Sequence, residues 1–361
     1  MRDRLLPGSV GERAWPLLGP ALIVVALALL SLLGSEALER KATFMLINLV
    51  FVVGLYVFVG NSGVLSFGHA SFMGLGAYTV AILTSRPQVK RVLIPDAPDF
   101  LRTANLNTIL AILLAILVAA AFAAIIALPL MRLSGLAAGI ATLAVLLVVN
   151  VVLSRWEALT GGLTSFSSIR RDVGVFSALI WALIAMAVAY LYQRSRFGLR
   201  LRGTREDALA ARSLGISVVR ERSIAFVVSG GLVGLSGALY AQFLGTITPT
   251  LFFLSITFTT IAMLVIGGIN SLAGAVVGAV VISGLSEGLR EVEKASDTKN
   301  ITEIVLALIL LGILIVRPRG LTGGREFRWP PFGRGGAAPS GPAAPTPERP
   351  TAATGQPAPD A

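Results

Sequence analysis

The sequence has no cysteine, so neither a disulfide nor a thiolate metal site can form. It has one histidine, His69, which cannot build a multi-histidine metal centre. Charge is scarce: 14% of the 361 residues are Asp, Glu, Lys or Arg, against about 25% in a soluble globular domain. No segment reads GxxxxGK[ST], so the chain has no P-loop of its own for a nucleotide. The centres of its long apolar runs carry no Asp, Glu, Lys or Arg. That absence argues against a proton-coupled carrier, and less strongly against a sodium-coupled one that could use unwound carbonyls. His69 has no carboxylate close to it in sequence, and no catalytic constellation emerges. The expectation is a non-enzymatic chain that binds neither metal nor cofactor itself.

What is present is apolar. Hydrophobic residues make up 55% of the chain and its mean hydropathy is +0.81. About 20 consecutive apolar residues cross a bilayer. Runs of that kind recur near 17–33, 44–59, 63–84, 108–130, 134–153, 176–192, 223–245, 255–270, 272–289 and 301–316. They are continuous rather than alternating, which sets aside a transmembrane β-barrel. The expected fold class is all-α: a polytopic membrane helical bundle of about ten spans (8–10). Arg2, Arg4 and Arg13 precede the first run, but no small-x-small cleavage site follows, so that run reads as an uncleaved span. The expected organisation is a short N-terminal segment at 1–16, a membrane domain at 17–316 and a tail at 317–361.

Basic residues orient the bundle. The net charge is +11, which in this class reflects basic cytoplasmic loops rather than nucleic-acid binding. The stretch YQRSRFGLRLRGTREDALAARSLGISVVRERS (192–223) holds eight arginines, and RPRGLTGGREFR (317–328) holds four more. The positive-inside rule puts both in the cytoplasm, and with ten spans both termini lie there too. Without the third run the termini would fall on opposite sides. Residues 329–361 are rich in Pro, Ala and Gly and cannot bury a core, so they are expected to be disordered.

Within the basic loop at 193–222, Thr204, Glu206 and Asp207 belong to a segment of capping-box form, Thr204-Arg205-Glu206-Asp207. Helix formers follow, and Gly215 can close the helix in a left-handed cap. On a helical projection Arg205 and Arg212 share one side, while Ala210, Ala211 and Leu214 share the other. A short helix with a flat small-residue face suits a groove on another protein. The plainer reading is a solvated basic loop along the membrane surface.

Residues 60–78, GNSGVLSFGHASFMGLGAY, place five glycines and three serines between apolar runs. Ser62, Ser66, Ala70 and Gly74 recur every fourth residue, with Gly60, Gly68 and Gly76 on a neighbouring stripe. Such spacing lets helix backbones approach closely. The same composition also suits a broken or re-entrant element, which survives at membrane depth only inside protein or beside a watery cavity. His69 is then either a neutral imidazole bonded to a neighbouring carbonyl or hydroxyl, or a pathway group. Gly230, Gly234 and Ala238 form a second small-residue stripe, Gly274 and Gly278 a third. Gly267 and Gly268 mark a helix break.

GNSGVLSFGHASFMGLGAY resembles the signature segment of branched-chain amino acid ABC importer permeases. GTREDALAARSLGIS resembles their ATPase-coupling loop. SIAFVVSGGLVGLSGALYAQFLGTITP and MLVIGGINSLAGAVVGAVV resemble later spans, and IVRPRGLTG their C-terminal end. LRTANLNTIL and WEALTGGLTS resemble the LivM-type rather than the LivH-type subunit. The similarity covers about residues 40–325. It implies a bacterial inner-membrane complex with a second, LivH-type permease, two cytoplasmic ATP-binding subunits and a periplasmic binding protein, ATP being held by the partner subunits. The family's coupling pattern E-A-A-x-x-x-G maps to Leu209, Ala210, Ala211 and Gly215. Leu209 replaces the acidic residue, with Glu206 and Asp207 just upstream. Substrates in the family span leucine, isoleucine and valine, other amino acids, amides and urea. An ion-coupled secondary carrier of a small polar solute is the alternative.

Overall fold

The computed structural model describes residues 10–296, 301–317, 320–324 and 326. Among them fifteen α-helices follow one another: α1 (Val10–Leu32), α2 (Glu36–Ser62), α3 (His69–Thr84), α4 (Pro87–Leu93), α5 (Asp99–Thr103), α6 (Thr108–Leu130), α7 (Gly135–Arg155), α8 (Glu157–Thr160), α9 (Val175–Arg194), α10 (Arg196–Glu206), α11 (Ala208–Ser213), α12 (Val218–Leu244), α13 (Leu254–Gly267), α14 (Leu272–Ser296) and α15 (Ile301–Val316). A 3-10 turn at Pro249–Phe252 leads into α13. The described β-structure is a single bridge between Phe166 and Ile247. The expected disorder of 329–361 lies outside the described residues.

Among the described residues eight helices are long and apolar enough to cross a membrane: α1, α2, α6, α7, α9, α12, α13 with its leading 3-10 turn, and α14. The chain is thus a multi-pass membrane protein. The ten apolar runs resolve into these eight and two shorter helices, α3 and α15, of 16 residues each. At 1.5 Å per residue each of those is ~24 Å long, short of the ~30 Å hydrocarbon core. Two boundaries also move. Helix α1 already begins at Val10, inside the segment at 1–16 read as preceding the first span. Helix α2 runs on through Asn61 and Ser62, where the glycine and polar residues had suggested its end near 59.

Helices α2 and α12 form the centre, with 89% and 83% of their spanning windows buried, against 28% for α1 and α6. Small side chains make this possible. Along α6, Ala111, Ala115, Ala119, Ala123 and Ala127 are buried at every fourth position and face the glycines of α12. A Cβ at Gly234 would lie 2.3 Å from the Ala119 Cβ, and one at Gly230 2.7 Å from the Ala123 Cβ. Lipid supplies no hydrophobic drive for helix association, so close van der Waals contact must hold such pairs. The Gly230, Gly234 and Ala238 stripe is therefore a packing surface.

The signature stretch is broken, not continuous. Helix α2 ends in Gly63 at φ 71°, with the Gly63 N–H donating to Val59 O. Residues 64–68 are not helical, and α3 begins only at His69. Ser62, Ser66, Ala70 and Gly74 therefore share no helical face, contrary to the every-fourth-residue reading. All four are nevertheless buried, which keeps the stretch away from lipid by the other route. The irregular backbone is satisfied from within: Val64 N–H donates to Ser62 Oγ at 3.2 Å and Phe67 N–H to Thr142 Oγ1 at 3.1 Å.

Candidate functional site

Two regions carry the residues singled out in the sequence. The first is the basic loop. Ser195 opens α10, its hydroxyl accepting from Gly198 N–H at 3.3 Å. The helix expected over 204–215 is instead two helices. Asp207 leaves the helical region at φ −147°, and its carboxylate caps α11 by accepting from Leu209 N–H at 2.8 Å and Ala210 N–H at 3.0 Å. Thr204 is therefore no N-cap. It is buried inside α10, its hydroxyl donating to Leu201 O. The cap is supplied three residues later by Asp207, whose carboxylate oxygen accepts two amides at once. Glu206 ends α10 on the solvent side. Gly215 does close α11 at φ 77°, with Ile216 N–H donating back to Ala211 O at 3.0 Å.

The break turns the predicted face. Ala211 points inward at 5% exposure, while Leu209 and Leu214 stand out at 75% and 80%. Ala210 and Ser213 are exposed between them. The open surface is thus Leu209, Ala210, Ser213 and Leu214, two large apolar residues flanking two small ones. Arg205 does not share a side with Arg212. Its guanidinium donates to Gly60 O at the end of α2 and to Asn270 Oδ1 between α13 and α14, both at 2.7 Å. One side chain thus ties the basic loop to two membrane elements.

The turn between α13 and α14 is held from a direction that the sequence reading missed. Gly268 at φ 124° breaks the helix, as its pairing with Gly267 suggested. Close contact follows beyond it: a Cβ at Gly267 would lie 2.0 Å from Gly274 O, and one at Gly278 1.8 Å from Met263 O. A strap formed by residues 320–324 and 326 then crosses the turn. Leu321 N–H donates to Ile266 O at 2.8 Å and Thr322 N–H to Gly267 O at 3.2 Å. Glu326 accepts from Leu272 N–H at 2.8 Å and Ala273 N–H at 3.2 Å. These are the open carbonyls of one helix end and the open amides of the next. Burial pushes the Glu326 carboxyl above the usual carboxylate range, and the two amides pull it back. The tail expected at 317–361 thus opens with a segment bonded to this turn, ahead of the stretch at 329–361.

The second region surrounds His69. Its ring is enclosed by Phe58, Phe72 and Phe226, with ring centroids 5.7, 5.5 and 5.4 Å away. Nδ1 lies 2.8 Å from Ser66 Oγ and Nε2 2.8 Å from Ser229 Oγ. Ser229 spends its proton on Gly54 O at 2.6 Å. It must therefore accept from Nε2–H, and in a neutral ring Ser66 donates to Nδ1. Both ring nitrogens are satisfied, and the bonds join the 64–68 segment, α3, α12 and α2. Gly74 faces the Leu153 side chain, a Cβ there lying 3.0 Å from its Cδ1. The packing reading of His69 and Gly74 fits this geometry.

Residues 37–315 match the family described as branched-chain amino acid transport system, permease component. The chain belongs to that family. It is 27% identical over 335 residues to the high-affinity branched-chain amino acid transport system permease protein LivM of Salmonella typhimurium, covering 83% of this chain and 73% of that protein. LivM of Escherichia coli K12 is 26% identical with the same coverage. LivH of Salmonella typhimurium is 28% identical over 171 residues, 46% of this chain and 53% of that protein. No solved structure matches the chain. The LivM matches span more of the permease than the LivH match, in line with the resemblance at 156–165. Strap and basic loop both fall in segments whose likeness to the family the sequence already carried, but that both reach the α13–α14 turn could not be read from either alone.

Proposed function

We propose that this permease is the membrane subunit of an ATP-driven importer for branched-chain amino acids or closely related small amino acids and amides. It sits in a bacterial inner membrane with the basic loop in the cytoplasm. There it pairs with a second, LivH-type permease above two ATP-binding subunits that hold the nucleotide, and a periplasmic binding protein delivers the solute. This chain contributes the path and the mechanical contact. The observation that carries the reading is the α11 surface. Energy from hydrolysis in another protein reaches a membrane path only through an element that both proteins bias. Helix α11 exposes Leu209 and Leu214 to a partner, and Arg205 connects the same loop to α2 and to the α13–α14 turn. A small displacement of the loop therefore reaches the centre of the bundle directly.

The inward position of Ala211 fixes the choice of variant, because a large residue there would disturb the loop itself. Ala210→Trp instead fills the exposed notch between the two leucines. The expected result is normal membrane level, normal pairing with the second permease and uptake below about a tenth of wild type. ATPase activity should no longer respond to loaded binding protein. Wild-type uptake by the variant with its ATPases bound would remove α11 as the contact. Uptake that persists without the ATPases and ignores vanadate would replace the whole reading with an ion-coupled carrier.

A further inference from the structure

At the end of the bundle away from the basic loop, a cavity of about 200 Å³ opens between α2, α12, α13 and α14. We infer that this cavity is a solute site for a small zwitterionic α-amino acid, with Arg290 taking the carboxylate and Asn48 and Ser283 the ammonium group. The inference rests on the importer reading above and adds the site within it.

Three observations converge. First, the wall holds two buried polar atoms without hydrogen-bond partners among the described residues: Asn48 Oδ1 and Ser283 Oγ. Asn48 is 3% exposed and Ser283 8%. Buried polar atoms are nearly always paired, so two orphans on one cavity wall point to a ligand that supplies donors. Both can accept, and an ammonium group offers three N–H donors in a tetrahedral spread.

Second, Arg290 is the one charged residue on the lining. Its guanidinium lies over the Phe44 ring at 5.9 Å. The neighbouring carboxylates on α14, Glu287 and Glu291, engage Lys41 at 3.5 and 2.9 Å. The planar fork of Arg290 is suited to bidentate pairing with a carboxylate. Third, the rest of the lining is mixed, with Leu251, Ile256 and Met263 beside several hydroxyls. An aliphatic side chain has an apolar wall to rest on. The volume is below the roughly 300–1,000 Å³ of pockets for drug-sized ligands, which suits a single amino acid. A site that must release its solute cannot bind tightly, and one unpaired hydroxyl, one unpaired amide oxygen and one cation are a modest set of partners.

The test uses the complete importer in proteoliposomes, with binding protein and radiolabelled leucine. Arg290→Gln and Asn48→Leu should each lower uptake at least tenfold. Complex yield and the ATPase response to loaded binding protein should stay at wild-type level. Arg290→Lys, which keeps the charge but not the fork, should recover part of the uptake. Wild-type uptake by Arg290→Gln would overturn the site. So would parallel loss of complex and ATPase response in both Arg290 variants, which would make the residue structural. Anionic lipid could also engage Arg290. The variants are therefore compared in phosphatidylcholine alone and with phosphatidylglycerol added. A defect confined to the anionic membrane would assign Arg290 to lipid and overturn the site. If the unmodified importer failed to take up leucine with ATP, the importer reading itself would fall. A defect limited to the variants leaves that reading standing.

Discussion

His69 illustrates how one residue can be read by its partners. A lone histidine at membrane depth suggests a functional group, but its two ring nitrogens are spent on Ser66 and Ser229, and Ser229 is spent in turn on Gly54 O. Ser229→Ala would leave the Nε2–H unpaired inside protein and remove the second hydrogen bond to the Gly54 carbonyl. An unsatisfied buried group costs about 1–3 kcal/mol. The detergent-solubilised importer carrying Ser229→Ala should therefore inactivate at lower temperature, while the molecules that remain folded transport at the wild-type rate. A pathway role for His69 would give the opposite pattern, lost uptake with unchanged thermal stability. Lys90 shows the same logic outside the spans. It is 0% exposed, and its ammonium donates to Ile82 O and Leu101 O, both at 2.9 Å, and also to Ala104 O. Burial lowers its pKa below the ordinary lysine value, yet three carbonyls match the three donors of the charged form. In the sequence it looks like one more loop charge, because nothing local announces three carbonyls brought from two other segments.

Between elements, contact distance decides what the small residues do. A Cβ added at Gly76 would stand 2.1 Å from Gly234 O, and one at Gly237 1.9 Å from Met73 O. Both neighbours are backbone, so neither can swing aside. Gly76→Ala should push α3 and α12 apart at a cost of about 1–3 kcal/mol or more, read as reduced complex yield and a lower inactivation temperature. Gly284→Ala is the matched control on α14, where a Cβ would meet nothing within 4 Å. A glycine-to-alanine change in a helix interior is worth about 1 kcal/mol in favour of alanine, so this variant should hold or gain stability. Equal losses at both positions would mean that helix contact is not what the glycines serve. Small-residue stripes on α12 and α14 were legible because their spacing repeats along one helix. The break at 63–68 was legible only as an option, since glycine and serine suit both a tight helix and an unwound segment. The division of α10 from α11 was not legible. Thr204 and Asp207 are both N-cap residue types, and which of them starts a helix depends on how α10 packs against α9, α2 and α12. The cavity near Arg290 was equally hidden, because Asn48, Ser283 and Arg290 come together only when α2 and α14 meet.

For the molecule as a whole, the basic loop and the Arg290 cavity engage different parts of the same helices. Arg205 meets the last turn of α2 and the turn before α14, whereas Asn48 lies midway along α2 and Arg290 toward the far end of α14. A shift of the basic loop can therefore reach the cavity along α2 and α14 without crossing the lipid-facing helices. The strap formed by residues 320–324 and 326 sits where this transmission begins. It closes the helix-end carbonyls at Ile266 and Gly267 and caps Leu272 and Ala273, so it holds α13 and α14 as one unit at the point that Arg205 engages through Asn270. A chain ended after Arg328 keeps every one of these bonds. A chain ended after Val316 loses them, at roughly 1 kcal/mol for each intramolecular hydrogen bond, and leaves two helix ends open. The longer truncation product should assemble and import like the full chain. The shorter one should be less heat-stable, and its ATPase response to loaded binding protein should fall because the loop now pushes on a loosened hairpin. Glu326→Ala in the full chain should lie between the two, since it removes the cap on α14 but keeps the bonds of Leu321 and Thr322. Uptake by the chain ended at Val316 that matches the full chain at all temperatures would show that the strap is dispensable and that Arg205 alone joins the loop to the hairpin.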